Sequence, residues 1–216
     1  MCTIETVTHQ SATDIKKKGR PRSEEVQQAI LKAAATLLAE RGFRALTIED
    51  VAALAKVGKT SIYRRWPSKG ILALDAFLSE FLLLQPPIDT GDLAGDLSEA
   101  LSAWVKTVAG TSTGRTLVAL VAEAQTDPEL AVAWRETVVA RARNQHRSMI
   151  DRAIDRGEIP RDSDVDVLMD MLYGPAYHRL LQGHLPLTDD FVHQVVAVVV
   201  AGAKAGSAVP SRAAKV

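Results

Sequence analysis

Thr47-Ile48-Glu49-Asp50-Val51-Ala52-Ala53-Leu54-Ala55-Lys56-Val57-Gly58-Lys59-Thr60-Ser61-Ile62-Tyr63-Arg64-Arg65-Trp66-Pro67 is the stretch on which the fold turns. Thr47 reads as an N-cap, with Asp50 three residues on as in a capping box. Ile48, Val51, Ala52, Leu54 and Ala55 supply an apolar face. A second short helix is expected from about Lys59 to Trp66, where Pro67 breaks it. Lys56-Val57-Gly58 between them is a tight turn, and the glycine is expected to take a conformation costly to other residues. Two short helices joined by such a turn fit a helix-turn-helix. In the second helix Lys59, Thr60, Ser61, Tyr63, Arg64 and Arg65 point outward or flank the outer face, while Ile62 and Trp66 point in. Arg can hold guanine bidentately in a major groove, and Ser and Thr hydroxyls can bond bases or phosphates. An ordinary solvated helix is the alternative. It does not explain three cations, an exposed Tyr and no acid within eight residues.

Working outward, Ser23 is expected to cap the preceding helix, with Glu24 and Glu25 in its first turn. Val26, Ile30, Ala33, Leu37 and Leu38 recur at helical spacing, and Gly42 is expected to end the helix as a left-handed cap. Downstream, Ser68 caps a fourth helix to about Leu84, with Ile71, Leu74, Phe77, Leu78 and Phe81 inward. Gln85-Pro86-Pro87 begins a linker to about Gly91. The divisions expected are a disordered tail and basic arm over 1–22, a DNA-binding domain over 23–68, a helical body over 69–205 and a mobile tail over 206–216. In the arm, Arg20 and Arg22 could enter a minor groove beside the main site; a solvated tail giving nonspecific attraction is the alternative.

The body follows the same grammar. Helices are expected over Leu93–Ala109, Gly114–Gln125 and, opened by Asp127-Pro128-Glu129, a long one ending at Gly157. Asp164 caps another to Gln182, kinked at Gly174-Pro175, and the last runs from Thr188 to Lys204. Val195-Val196-Ala197-Val198-Val199-Val200 would favour a strand in isolation, but no second strand exists to pair with it. The expected fold is therefore all-α: an N-terminal three-helix helix-turn-helix domain and a C-terminal helical ligand-binding and dimerisation domain, about nine helices in all.

Composition narrows the function. Of 216 residues, 47% are apolar, enough for a sizeable core. Net charge is zero but uneven: residues 14–70 hold 13 Lys and Arg against 6 Asp and Glu, and residues 71–216 hold 13 against 19. A basic head on an acidic body is the footprint of a nucleic-acid contact confined to one end. The single cysteine, Cys2, excludes an intramolecular disulfide and a thiol-rich metal site. No secretory signal is present, and the longest apolar run, Val195 to Ala203, falls far short of a membrane span. A soluble, cytoplasmic protein with no membrane partner is expected.

With these residues laid out, Thr47 to Ala52 and Val57 to Lys69 resemble the DNA-binding signature of the tetracycline-repressor (TetR) family, over roughly Ser23 to Leu84. Asp127-Pro128-Glu129-Leu130 and Gly174-Pro175 before Tyr177 are similar to one of that family's ligand-domain subtypes. The resemblance implies groove-facing roles for Lys59, Thr60, Ser61, Tyr63, Arg64 and Arg65. It implies phosphate contacts for Lys69 and for Thr47. Trp66 stands where many members have Phe and is expected only to fill more core. The partners implied are a double-stranded DNA operator, a small-molecule effector and a second copy of the chain. The expected function is a ligand-responsive regulator, a repressor that releases a palindromic operator when the effector binds. A ligand-independent architectural DNA-binding protein is the alternative.

Trp104, Val108, Leu117, Leu120, Val121, Trp134, Met149, Met169, Tyr173 and Tyr177 are candidate pocket residues, each also explicable as plain core. Tyr173 and Tyr177 lie one turn apart beside the expected kink. The last two helices are apolar around most of their circumference. Val165, Leu168, Met171, Leu172, Phe191, Val195, Val198, Val199 and Gly202 are therefore candidates for an isologous dimer seam. An enzyme is the competing class, on His146, His178, His184 and His193 with Asp170. No metalloprotease spacing and no glycine-rich phosphate loop supports it. Surface positions explain these histidines better, and no catalytic residue, metal or cofactor is expected.

Overall fold

The computed structural model describes residues 20–81 and 88–206. Cys2, the Lys16–Gly19 part of the basic arm and Gln85-Pro86-Pro87 lie outside the described residues, as do the side chains of Arg20, Arg22 and Phe81. Every element among the described residues is helical. α1 (Arg20–Ala45) starts three residues before Ser23, with Pro21 in its first turn, where a missing N–H costs nothing. Ser23 is thus inside the helix, and its hydroxyl accepts a hydrogen bond from Arg65 instead of capping. Gly42 interrupts α1 as expected, with φ 75 and ψ 170, a positive-φ conformation essentially reserved for glycine though outside the left-handed helical region.

Thr47 accepts from the Asp50 amide at 3.1 Å and opens α2 (Ile48–Ala55). Leu54, expected inward, is half exposed. The turn into α3 (Lys59–Tyr63) corrects the glycine argument. Gly58 has φ −75 and ψ 145, which any residue can adopt, and a Cβ there would meet nothing within 4 Å. Lys56 takes the left-handed conformation instead (φ 56, ψ 45). That costs roughly 1–2 kcal/mol for a residue with a Cβ. It is offset because the Lys56 and Val57 amides reach the Ala53 and Ala52 carbonyls, satisfying the end of α2. Helical bonding continues past Tyr63, from Arg64 N to the Thr60 carbonyl and from Trp66 N to the Ile62 carbonyl.

Ser68 accepts from the Ile71 amide and opens α4 (Lys69–Phe81). In the body, Asp92 caps α5 (Leu93–Val108), and Thr111 caps α6 (Ser112–Glu123) two residues earlier than expected. Asp127 accepts from the Glu129 and Leu130 amides to open α7 (Pro128–Trp134). α7 continues through a π-helical segment, Arg135–Val139, into α8 (Ala140–Asp155), so the expected long helix exists with a π-turn inside it. α9 (Val165–Gln182), capped by Asp164, runs through Gly174-Pro175 uninterrupted, where a kink was expected. α10 (Asp189–Ala205) is capped by Thr188. Its valines are helical because Val195, Val196, Val199 and Val200 are buried, and packing overrides propensity.

α1 packs on α2 and α4 to form the head, and α1 and α4 both continue onto α6 of the body. Trp66 fills the head core and its Nε1 donates to Asp75 of α4 at 2.7 Å. α5 is central in the body, against α6, α8, α9 and α10. Its first turn carries the fully buried Asp96, whose carboxylate accepts from the Thr90 amide and hydroxyl and from Arg152. Arg152 also donates to the Ile88 carbonyl, so the chain entering α5 is tied to α8.

Candidate functional site: a DNA-reading head and an apolar cavity

Lys59, Thr60, Tyr63 and Arg64 are exposed and share one face of the α3 turn, while Ile62 is fully buried beneath them. Tyr63 is 52% exposed, unusual for an aromatic with no protein work to do there. Lys59 rests on Glu49 at 2.8 Å in a pair more than half exposed. The contact lowers the Glu49 pKa and raises that of Lys59, chiefly through their hydrogen bond. Such a pair contributes little to stability and can be exchanged for a phosphate or base. Ser61 is half-buried. Arg65 turns away from the outer face: its guanidinium donates to the Ser61 carbonyl and to Ser23, tying α3 to α1. Lys69 likewise serves the head internally, donating to the Phe43 carbonyl at 3.2 Å with its ammonium 4.4 Å from the Phe43 ring centroid.

A cavity of about 420 Å³ opens between α4, α5, α6, the α7–α8 rod and α9. Seven of the ten expected pocket residues line it: Trp104, Leu117, Val121, Trp134, Met169, Tyr173 and Tyr177. Val108 and Leu120 are core beside it, and Met149 packs separately with Ile88 and Ala100. Leu78 of α4 and Val138 and Val139 of the π-turn also form its wall. π-turns recur at functional sites because they displace side chains from helical register. Trp104 packs against Tyr173 and Tyr177 with ring centroids 5.9 and 5.0 Å apart.

His146 corrects the surface assignment of the histidines. His178, His184 and His193 are exposed, but His146 is buried and lines the cavity. Its Nδ1 bonds the Ala142 carbonyl, and its Nε2 lies 2.7 Å from the Tyr173 hydroxyl. Burial lowers the His146 pKa, only partly countered by the Ala142 carbonyl. Burial also raises both tyrosines, Tyr177 to about 12. The signal was present in the sequence: His146, Met149, Ile150 and Ala153 fall at i, i+3, i+4 and i+7, the buried stripe of α8.

Residues 30–76 match the family "Bacterial regulatory proteins, tetR family", and residues 87–199 match "Tetracyclin repressor-like, C-terminal domain". The chain belongs to the TetR family of transcriptional regulators. It is 33% identical over 195 residues to the HTH-type transcriptional regulator YdeS of Bacillus subtilis (strain 168), covering 90% of this chain and 98% of that one. It is 32% identical over 178 residues to the DNA-binding transcriptional repressor TetR of Mycobacteroides abscessus, covering 81% and 92%. The crystal structure of the TetR family transcription regulator SCO0332 superposes with a TM-score of 0.74 at 39% identity, covering 82% of this chain and 98% of that one. This TetR-family chain is accordingly a helix-turn-helix DNA-binding regulator, of a family that is not enzymatic. Among the described residues no helix is long and apolar enough to cross a membrane.

The regulator's α9 and α10 sort the expected seam residues into two sets. Leu172, Phe191, Val195 and Val199 are buried in the chain's own core, and Val165 and Leu168 are half-buried. Met171, Val198 and Gly202 face outward, as do Val167 and Leu181 of α9 and Leu185 of the loop that follows it. Both helices thus carry apolar residues on two sides, and of the nine expected seam residues Met171, Val198 and Gly202 are the exposed ones.

Proposed function

We propose that this chain is a homodimeric repressor that holds a palindromic operator and releases it when a small molecule fills the cavity. Residues 23–68 are the DNA-reading domain and 69–205 the ligand and dimer body. The observation that carries the reading is that α4 belongs to both ends. Lys69 at its start grips the Phe43 carbonyl of the head, Leu78 forms part of the cavity wall, and Phe77 stacks on Trp134 at 6.2 Å. A ligand that displaces Leu78 and Trp134 moves α4, and the head moves with it. Two recognition helices must sit about 34–36 Å apart to enter successive major grooves. A shift of a few ångströms spoils both half-sites, each base contact being worth about 1–3 kcal/mol. The ligand must also bind the DNA-incompetent state more tightly, or nothing shifts.

Two experiments test this. Selection of bound DNA from a random pool should yield a palindrome, and a single asymmetric site would refute dimeric readout. Spin labels on the two recognition helices should then report a changed separation when a ligand releases DNA. An unchanged distance and spread would refute the α4 mechanism.

Arg64 and Lys69 should separate by phenotype. Arg64→Ala is expected to relax preference at one or two base positions, by about 1–3 kcal/mol. Lys69→Ala should weaken all sequences alike and also lower thermal stability, because it loosens α4 from the head. A salt dependence flatter by about one unit would show that Lys69 also meets phosphate. An unchanged slope would make it an internal strut only.

A further inference from the structure

The cavity's polar groups specify what kind of ligand it takes. A carbonyl can only accept, so the proton on His146 sits on Nδ1, which donates to Ala142. In the neutral ring Nε2 is then an acceptor, and Tyr173 must donate its hydroxyl proton to it. Burial keeps that ring neutral, and the nearest lining carboxylate, Asp170, is held by Arg143. Tyr173 is thus left with lone pairs and no proton to give. Tyr177, one turn on, has no hydrogen-bond partner among the described residues. At the mouth, the two terminal nitrogens of Arg143 are taken by Asp166 and Asp170, so its charge is already matched. Most of the remaining wall is aromatic and aliphatic, Trp104 and Trp134 included, and the half-buried Gln145 and the exposed Arg141 also line it.

We propose that the cavity takes an uncharged, flat aromatic ligand bearing a hydroxyl group, and that Tyr173, oriented by His146, accepts a hydrogen bond from that hydroxyl. The indole and phenol faces hold the ring by stacking, and the polar end is read as a donor. A carboxylate fits poorly at Tyr173, since it would place lone pairs against lone pairs; of the cations that line the cavity, Arg143 is already paired and Arg141 is exposed, where water screens it. The inference rests on the cavity being the effector site.

Three probes of one ring system test it: 2-naphthol, which donates, 2-methoxynaphthalene, which only accepts, and 2-naphthoate, which is an anion. Binding to the full chain is followed by quenching of tryptophan fluorescence, with operator release measured in parallel. The expected order places 2-naphthol about tenfold tighter than 2-methoxynaphthalene, the scale of one neutral hydrogen bond, with 2-naphthoate weakest. Tyr173→Phe should erase the gap between the first two, and Tyr177→Phe should keep it; circular dichroism confirms that each variant is folded. The wild-type series decides the matter even if Tyr173→Phe does not fold. The ligand class is overturned if 2-naphthoate or 2-methoxynaphthalene binds as tightly as 2-naphthol, if none of the three binds, or if the gap survives in folded Tyr173→Phe. Donor-dependent binding without operator release would instead refute the effector reading while supporting the ligand class.

Discussion

Val198→Glu is expected to give a folded monomer that no longer holds a two-half-site operator. Val198 is 64% exposed on α10, one turn before the exposed Gly202, and α9, which packs on α10, exposes Met171 and Val167. In an isologous interface one substitution appears twice, so two unpaired carboxylates would be buried together. Burying an uncompensated charge costs about 3–5 kcal/mol, enough to dissociate a dimer of ordinary affinity. The neighbouring Val199→Glu should behave differently, because Val199 is only 4% exposed and packs in the chain's own core. It should unfold the chain and not merely split it. Light scattering with circular dichroism distinguishes the two. A Val198→Glu protein that stays dimeric and DNA-competent would place the seam elsewhere.

Removing the carboxylate of Asp96 should produce the largest stability loss of any polar substitution in the body. Asp96 is 0% exposed, and its carboxylate is the shared acceptor for Thr90, Arg152 at 3.2 Å and, more distantly, Arg156 at 3.9 Å. Asp96→Ala leaves the Thr90 amide without its acceptor and the Arg152 charge without its buried partner. Because Arg152 remains about a third exposed, the loss should fall at the low end for a broken buried pair, about 3 kcal/mol. For a chain of this size that is a fall in Tm of roughly 6–12 °C. Asp96→Asn, which keeps the shape and one acceptor oxygen, should lose less. Urea unfolding measures both. A loss below about 1 kcal/mol would mean that water replaces the carboxylate without penalty.

The helix-turn-helix was legible because its signals are local. Though Ser23 does not, Thr47, Ser68, Asp127 and Asp164 cap the helices assigned to them, since a cap satisfies amides two or three residues away and needs no distant partner. The aromatic lining was legible from helical spacing for the same reason. Contacts with partners far along the chain were not legible. Arg65 and Lys69 carry the sequence pattern of DNA contacts, yet Ser23 and Phe43, dozens of residues upstream, claim them in the fold. Gly58 looked like the residue needing a special conformation until the backbone put that conformation on Lys56.

The sequence alone determined the helical class, the order of the helices, the basic outer face over Lys59–Arg64 and the aromatic character of the body, because capping, periodicity and charge act over a few residues. Tertiary structure alone decided which side of α9 and α10 is core and which is free. A helix apolar around most of its circumference, as α9 is, carries little periodic signal to choose between them, so packing against α5, α8 and α10 made the choice. It also decided that His146, buried against Tyr173, is a polar group of the cavity. A histidine's position in the chain does not reveal its partner. The Ala142 carbonyl on its own helix fixes its tautomer, and only the approach of α9 to α8 brings the Tyr173 hydroxyl to the remaining nitrogen.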